Sequence, residues 1–139
     1  MIFDESLTIE TSEEQEIIDI TGRVNAFLKT NQIDKGLMNL WTVHTTAALT
    51  VNENEKSLWS DLLDSFNQIA ALQREYYHKP NADAHILSAV LKTDVSIPIN
   101  QGKMVLGTWQ RILLIELDGP RKRTVKITLI GEKNNVSSH

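Results

Sequence analysis

The chain has 139 residues, of which 41% are hydrophobic and 23% are charged, and its formal net charge is −4. These values are typical of one globular domain with a single core, and the acidic excess disfavours a general surface for nucleic acid or anionic membranes. The chain contains no cysteine, which excludes disulfides, thiolate nucleophiles and cysteine-based zinc sites, so any metal would need nitrogen and oxygen ligands.

The first half of the chain is predicted to combine several strands with one helix. Alternating or β-branched apolar residues indicate four strands, at 7–10, 16–20, 37–43 and 47–51. A helix capped by Thr11 or Ser12 is the alternative for the second of these segments. Thr21 is typical of an N-cap, because apolar residues follow it at helical spacing until about Asn31. A turn is expected at 34–36.

The second half contains the clearest helical pattern, roughly over 55–70, where one face carries Leu58, Leu62, Leu63, Phe66 and Ile69. A shorter helix is predicted over 82–91, with Asn81 as its N-cap. Four further strands are predicted at 94–99, 104–106, 110–117 and 125–130, the last two joined through Gly119-Pro120. These elements predict an α+β domain over 1–132, with two packed, mostly antiparallel β-sheets in a sandwich-like arrangement, two or three α-helices, and a polar C-terminal tail over 133–139.

Three histidines are candidates for a metal site. His44 ends an apolar strand and precedes hydroxyl residues, His78 follows two tyrosines, and His85 lies early in the short helix. Three neutral imidazoles with one open position form a catalytic zinc site. Each residue could instead be a surface or hydrogen-bonded structural histidine, and the spacing matches no diagnostic metal motif. The residues alone leave both interpretations open.

Carboxylates form the second group of candidates, for acid–base chemistry, for metal binding or for orienting a histidine. They are Glu53, Asp61, Asp83 and Glu116. The leucines around Asp61 imply a partly buried helix face. Glu116 follows the apolar run 112–115, so it either faces solvent or requires a paired donor.

Two other segments have both a functional and a structural interpretation. Gly107 allows close backbone approach, and Trp109-Gln110 offers a flat ring and an amide, as in a ligand platform or in a β-bulge with a core tryptophan. The basic segment 121–123 is either a phosphate clamp or a solvated hairpin. No P-loop, dinucleotide-binding, serine-hydrolase or zincin motif occurs.

Over residues 18–132 the chain resembles the YjbQ family of small bacterial and archaeal proteins, also called secondary thiamine-phosphate synthases. The resemblance is carried by ordered motifs: His44 to Asn54, then Asp61, Tyr76 and His78, then Ala84-His85 and Ser88, then Gly107 to Gln110, then Glu116 to Arg121, Arg123 and Gly131-Glu132. The segment Lys79-Pro80 is shorter than the loop that many relatives carry there, which affects lid shape and substrate choice.

The resemblance implies a YjbQ-like fold that assembles as a homotrimer, with a site near the subunit boundaries. It implies a site at His44, His78 and His85 that holds zinc or another divalent metal, or an anion such as phosphate. Catalysis would involve His44, Asp61 and Glu53. A phosphorylated small-molecule substrate would contact Thr45, Asn52, Trp109, Gln110 and Arg121.

The activity implied by the resemblance is a weak transferase reaction that joins a pyrimidine diphosphate to a thiazole phosphate and gives thiamine phosphate; the main substrate is open. A non-catalytic module that binds a metal or a phosphometabolite, and a metal-dependent hydrolase, are the alternatives. The start of the chain has no basic segment followed by an apolar one, and no apolar run approaches about 20 residues. We therefore expect a cytoplasmic protein without a nucleic-acid or membrane partner.

Overall fold

The computed structural model describes residues 1–72 and 75–133. Within these ranges the elements are, in chain order, β1 (Ile2–Glu10), β2 (Glu16–Asp19), α1 (Thr21–Asn31), β3 (Ile33–Thr42), β4 (Ala47–Asn52), α2 (Lys56–Ala70), α3 (Ala82–Leu91), β5 (Asp94–Asn100), β6 (Lys103–Met104), β7 (Arg111–Glu116) and β8 (Lys122–Lys133). Of the predicted polar tail, Lys133 is the last residue of β8, and the remainder lies outside the described residues.

Two antiparallel sheets form a sandwich, and two helices cover its outer side. The larger sheet has the order β1-β8-β3-β5-β6, and the smaller one has the order β2-β7-β4. Their facing sides, together with α1, enclose the main core. The opposite side of the smaller sheet packs against α2 and α3 in a second apolar cluster. The predicted α+β sandwich with two or three helices is therefore confirmed, and the described residues form three.

Strand β7 lies at the centre of the smaller sheet and is buried on both faces. Ile112 and Leu114 belong to the main core, whereas Leu113 and Ile115 belong to the cluster beneath α2 and α3. A strand that is covered on both faces has a continuous apolar run instead of alternation, as the sequence shows here. The first residue of β7 pairs with Asn52 and the last pairs with Ala47. We call the end of the sandwich near the first residue of β7 the Arg111 end, and the end near its last residue the Glu116 end.

Helix α1 begins one residue earlier than the sequence predicts. Ile20 is the N-cap residue, and the Asp19 carboxylate accepts a hydrogen bond from the backbone N–H of Thr21 at 2.9 Å. The buried Thr21 hydroxyl accepts instead from the backbone N–H of Ile112 at 2.8 Å. The prediction of Thr21 as N-cap is therefore wrong, because its hydroxyl joins the helix to β7. The predicted end at Asn31 is confirmed.

The structure also corrects several strand boundaries. The turn predicted at 34–36 belongs to β3, which begins at Ile33 and shifts register before Lys35. The glycine at position 36 permits close approach of β8, since a Cβ there would clash with the carbonyl oxygen of Ile130. The strand predicted at 104–106 is reduced to β6, and the helical alternative for 16–20 is wrong because β2 forms there.

Helix α2 has the predicted position. The Glu55 carboxylate caps it by accepting from the backbone N–H of Leu58. Its apolar side packs beneath the smaller sheet through Trp59, Leu62, Leu63 and Phe66. Across residues 1–72 and 75–133, no helix has both the length and the apolar character needed to cross a membrane.

Candidate functional site

A buried ion pair joins the two sheets at the Glu116 end. Glu116 is 0% exposed and Arg123 is 1% exposed. Arg123 Nε donates to Glu116 Oε2 at 2.8 Å, and its Nη2 donates to Oε1 of the same carboxylate. The sequence left Glu116 either solvent-facing or paired, and the structure shows that it is paired.

Hydrogen bonds from neighbouring segments complete this pair. Glu116 also accepts from the Thr11 hydroxyl at 2.8 Å and from the backbone N–H of Asp118 at 2.9 Å. Arg123 Nη2 also donates to the carbonyl oxygen and the hydroxyl of Thr46, both at 2.9 Å. Burial alone would raise the pKa of Glu116, but the hydrogen bonds from Arg123, Asp118 and Thr11 outweigh it and hold the pKa below its usual value. The pair therefore fixes the segment between β3 and β4 to β8.

His44 lies on this segment and is held from the side of β8. The backbone N–H of Thr124 donates to His44 Nε2 at 2.8 Å. Burial lowers the pKa of His44, and the nearby cations of Arg123 and Arg121 lower it further against the opposing effect of Glu116. The imidazole is therefore neutral at pH 7, with its proton on Nδ1, because the lone pair of Nε2 accepts from Thr124. Among the described residues, none accepts a hydrogen bond from this Nδ1–H.

The other two predicted histidines form a pair near the same end. The rings of His78 and His85 meet edge to face, with centroids 4.9 Å apart. They line a cavity of about 360 Å³ together with Tyr76, Tyr77, Ala82 and Ile86. Asn81, which precedes α3, donates to the Asp118 carboxylate at 2.9 Å and so connects this cavity to the hairpin between β7 and β8.

A three-histidine metal centre does not fit one chain as it stands. Across residues 1–72 and 75–133, no three or more histidine or carboxylate side chains are grouped closely enough to hold a metal ion. A metal on His44 would also have to displace the Thr124 hydrogen bond or the Nδ1 proton. The zinc assignment stays a prediction, and it would require a rearrangement or a ligand from a second copy of the chain.

The predicted residues Asn52 and Glu53 lie at the opposite, Arg111 end. Strand β4, which lies between them and His44 in the chain, spans about 17 Å from Ala47 to Asn52, since each strand residue advances about 3.3 Å. The Asn52 side chain accepts from the backbone N–H of Glu53 at 2.8 Å, so it shapes the turn before α2. The backbone carbonyl of Glu53 accepts from the Trp59 indole at 2.9 Å. Within one chain, neither the Asn52 amide nor the Glu53 carboxylate reaches the histidines.

Trp109 and Gln110 also lie at the Arg111 end. The loop closes on itself, because the Gln110 side chain accepts from the backbone N–H of Gly107 at 2.7 Å. Trp109 is 71% exposed, so its interpretation as a core tryptophan is wrong. Gln110 borders a cavity of about 700 Å³ between β4, β5 and the end of α3. The loop is therefore a solvent-facing platform.

The remaining predicted residues are surface residues. Thr45 is exposed beside His44. Asp61 is exposed on α2, so the partly buried face that its leucine neighbours implied is wrong for this residue. Asp83 is half-buried in the first turn of α3, where its carboxylate accepts from the backbone N–H of Ala84. Arg121 is exposed and pairs with Asp118 at 3.2 Å.

Sequence reasoning did not predict that Arg123 and Thr11 hold the Glu116 end together, or that Asp19 organises the Arg111 end. Asp19 accepts from Arg111 at 2.7 Å and from Asn54 at 3.0 Å, in addition to capping α1. The burial of Arg123 could have been predicted, because it lies an even number of residues from the buried apolar positions of β8 and so points to the same face of the sheet. Asp19 had no such signal, since its partners are distant in sequence.

Comparisons with known proteins support one family. A family model described as YjbQ, "UPF0047 protein YjbQ-like", matches residues 5–132. A UPF0047 protein of Archaeoglobus fulgidus is 42% identical over 122 residues, which cover 86% of this chain and 94% of that protein. The UPF0047 protein YugU of Bacillus subtilis is 36% identical over 129 residues, with coverages of 91% and 98%.

Solved structures give the same result. A YbjQ-like protein of unknown function from Sulfolobus solfataricus P2 superposes with a TM-score of 0.92 at 32% identity, covering 95% of this chain and 99% of that one. A hypothetical protein from Aeropyrum pernix K1 has a TM-score of 0.90 at 36% identity, with coverages of 94% and 99%. Because sequence and fold both match over nearly the whole length, the chain belongs to the YjbQ-like UPF0047 family.

Proposed function

We propose that this protein is an enzyme that acts on a phosphorylated small molecule at the Glu116 end. The observation that carries the proposal is the state of His44: neutral, half-buried, fixed through Nε2, and with its Nδ1 proton free of any described partner. A fixed N–H donor beside the exposed Arg121 guanidinium suits an anionic group better than a metal ion or a base. The cavity of His78 and His85, which the hydrogen bond from Asn81 to Asp118 connects to the hairpin that carries Arg121, would take a flat ring.

The specific reaction within this proposal is thiamine-phosphate synthesis, which the family resemblance implies. The thiazole nitrogen would form a bond to the methylene carbon of the pyrimidine diphosphate, while the bond from that carbon to the diphosphate oxygen breaks. Pyrophosphate leaves with the electron pair. His44 Nδ1–H and Arg121 would stabilise the negative charge that develops on this leaving group.

The test is turnover of the purified protein with both phosphorylated precursors. His44→Ala should lower the rate of product formation by about 10² to 10³, the usual effect of removing one such donor. His44→Gln keeps an acceptor for the Thr124 N–H and serves as a second variant in which the local fold is retained. Val43→Ala, at the exposed neighbouring position, is the matched control and should keep the full rate. Unchanged rates in both His44 variants would refute this site.

Assembly into a homotrimer belongs to the same proposal. The predicted residues His44 and Trp109 lie at opposite ends of the sandwich, so a second copy would have to bring them together. The test mixes inactive His44→Ala protein with inactive Trp109→Ala protein under conditions that allow subunit exchange. Recovery of activity is expected if one site takes residues from two chains. A monomeric mass in solution would refute the assembly and leave the role of His44 to be tested by itself.

Metal binding is a second candidate, favoured by the edge contact between His78 and His85. Metal analysis of tag-free protein and of His44→Ala, His78→Ala and His85→Ala variants tests it. Stoichiometric metal in the unmodified protein, and its loss in each of the three variants, would support the three-histidine site. Metal lost only in the His78 and His85 variants would place the site on that pair, and metal-free protein with full activity would refute it.

A further inference from the structure

A groove at the Arg111 end collects cationic side chains. It has a volume of about 350 Å³ and lies between α1, the turn that joins β5 to β6, and the start of β7. Its lining comprises Thr21, Gly22, Asn25, Lys29, Gly102, Lys103, Met104 and Arg111. We call it the Lys29 groove.

The charge of the Lys29 groove is opposite to that of the protein. Three of its lining side chains are cationic and none is anionic, although the chain as a whole has a formal net charge of −4. Among the described residues, no carboxylate lies within 4.0 Å of the Lys29 or Lys103 ammonium. Arg111 is paired with Asp19, so the uncompensated charge of the groove is that of the two lysines, and an anion in the groove would be attracted to both ammonium groups.

Arg111 is already oriented for such an anion. Its Nε donates to Asp19 at 2.7 Å, and Asp19 also accepts from Asn54 and from the backbone of Thr21. This network holds one edge of the guanidinium and leaves its terminal nitrogens without a partner among the described residues. A side chain that is fixed before binding loses less entropy when a ligand arrives.

We propose that the Lys29 groove binds the phosphate group of a small molecule. Planar guanidinium and mobile ammonium groups together suit phosphate oxygens. The volume is within the range of small-molecule sites. The overall negative charge disfavours a long polyanion, which would contact acidic surface beyond the groove. The groove lies at the opposite end of β7 from His44, so this site does not depend on the proposed function.

Gly22 offers a test that leaves the fold intact. A Cβ built at this position meets no atom within 4 Å, so a larger side chain has room to extend into the groove. Gly22→Glu would introduce a carboxylate, and Gly22→Gln would introduce the same shape without charge. Both replace a helical glycine with a better helix former, so neither should lower stability.

The experiment titrates the full chain with inorganic pyrophosphate at low salt and follows backbone amide NMR signals. Saturable shifts are expected at Gly22 and Gly102. Lys29→Gln and Lys103→Gln should each weaken binding about fivefold, the effect of one charge about 4 Å from the ligand in water. Gly22→Glu should bind about fivefold more weakly than Gly22→Gln. Lys126→Gln, on the exposed side of β8, is the control and should bind as the unmodified chain does.

Three results would overturn the proposal. The first is the absence of saturable shifts at millimolar pyrophosphate. The second is equal weakening by Lys126→Gln, which would indicate a diffuse charge effect. The third is tighter binding of a DNA duplex or of anionic lipid vesicles with the same variant pattern, which would assign the groove to a macromolecular polyanion. Since His44 does not line this groove, His44→Ala should leave unchanged the pyrophosphate affinity that is read from the Gly22 and Gly102 signals.

Discussion

The buried ion pair at the Glu116 end predicts a large and pH-dependent loss of stability when Arg123 is replaced. Arg123→Met keeps much of the side-chain volume but removes the Nε and Nη2 donors from the Glu116 carboxylate. Glu116 would keep two donors, the Thr11 hydroxyl and the backbone N–H of Asp118. The Thr46 carbonyl would keep the backbone N–H of Leu117. The principal cost is therefore an uncompensated carboxylate.

A buried charge that loses its partner typically costs about 3–5 kcal/mol, out of a total of about 5–15 kcal/mol for a domain. The measurement is urea unfolding at pH 7. The adjacent Lys122→Met is the control, because Lys122 pairs with Glu10 at 3.8 Å with both side chains more than 70% exposed. It should change the free energy of unfolding by less than about 0.5 kcal/mol. Glu116→Gln combined with Arg123→Met should recover about half of the loss.

The pH dependence gives a second and independent check. In the unmodified chain the pKa of Glu116 is lowered, so the pair contributes its stability above the ordinary value of 4.5 and loses it as the pH falls through the lowered pKa. In Arg123→Met the main opposing hydrogen bonds are gone, and burial raises the pKa. The variant should therefore regain stability as the pH falls from 7 to 5, whereas the unmodified chain should not. A loss below about 1 kcal/mol with no such pH dependence would refute this account.

Three further predictions concern hydrogen-bonded polar side chains. Ser88→Ala leaves the buried carbonyl of Ala47 without its donor at 2.7 Å and should lower the free energy of unfolding by about 1–3 kcal/mol, measured with urea. Burial raises the pKa of Asp19, but hydrogen bonds from Arg111 and Thr21 lower it overall. In the unmodified chain the ionised carboxylate therefore contributes stability above 3.8, and this contribution is lost as the pH falls through the lowered pKa. Asp19→Asn should lack this contribution at pH 7. In an NMR titration His44 should protonate below 6.5. Its contribution to stability is present above 6.5 and should be lost as the pH falls through its lowered pKa. Protonation above 6.5 would contradict the assigned hydrogen bond.

Most of the fold was predictable because each layer leaves a period in the sequence. The facing sides of the sheets give alternation, α2 gives a helical stripe, and the doubly covered β7 gives a continuous apolar run. The errors occur where one side chain or glycine has a tertiary partner. Thr21 has the composition of a cap but bonds to β7, and the glycine at 36 admits a neighbouring backbone and forms no turn.

The buried pair at the Glu116 end was partly predictable from the sequence. The separation of this end from the candidate residues at the Arg111 end was not. Glu116 shares the phase of Ile112 and Leu114, and Arg123 shares the phase of Val125. Opposite charges in the buried phase of two consecutive strands predict a pair across the core. In contrast, the motif from His44 to Asn54 is continuous in sequence, which suggests one site. The strand β4 lies within this motif and places its two halves at opposite ends.

That separation determines how the candidate residues can cooperate. A proton transfer or a substrate hydrogen bond requires atoms about 3 Å apart, whereas β4 holds the two halves of its motif about 17 Å apart. The strand pairs with β7 along its whole length, so bending cannot close this gap without breaking the smaller sheet. The two ends therefore act on different ligands, or they act on one ligand through different subunits. Pyrophosphate binding to the Lys29 groove in a chain that lacks His44 would support the first case. Activity restored by mixing the His44→Ala and Trp109→Ala chains would establish the second.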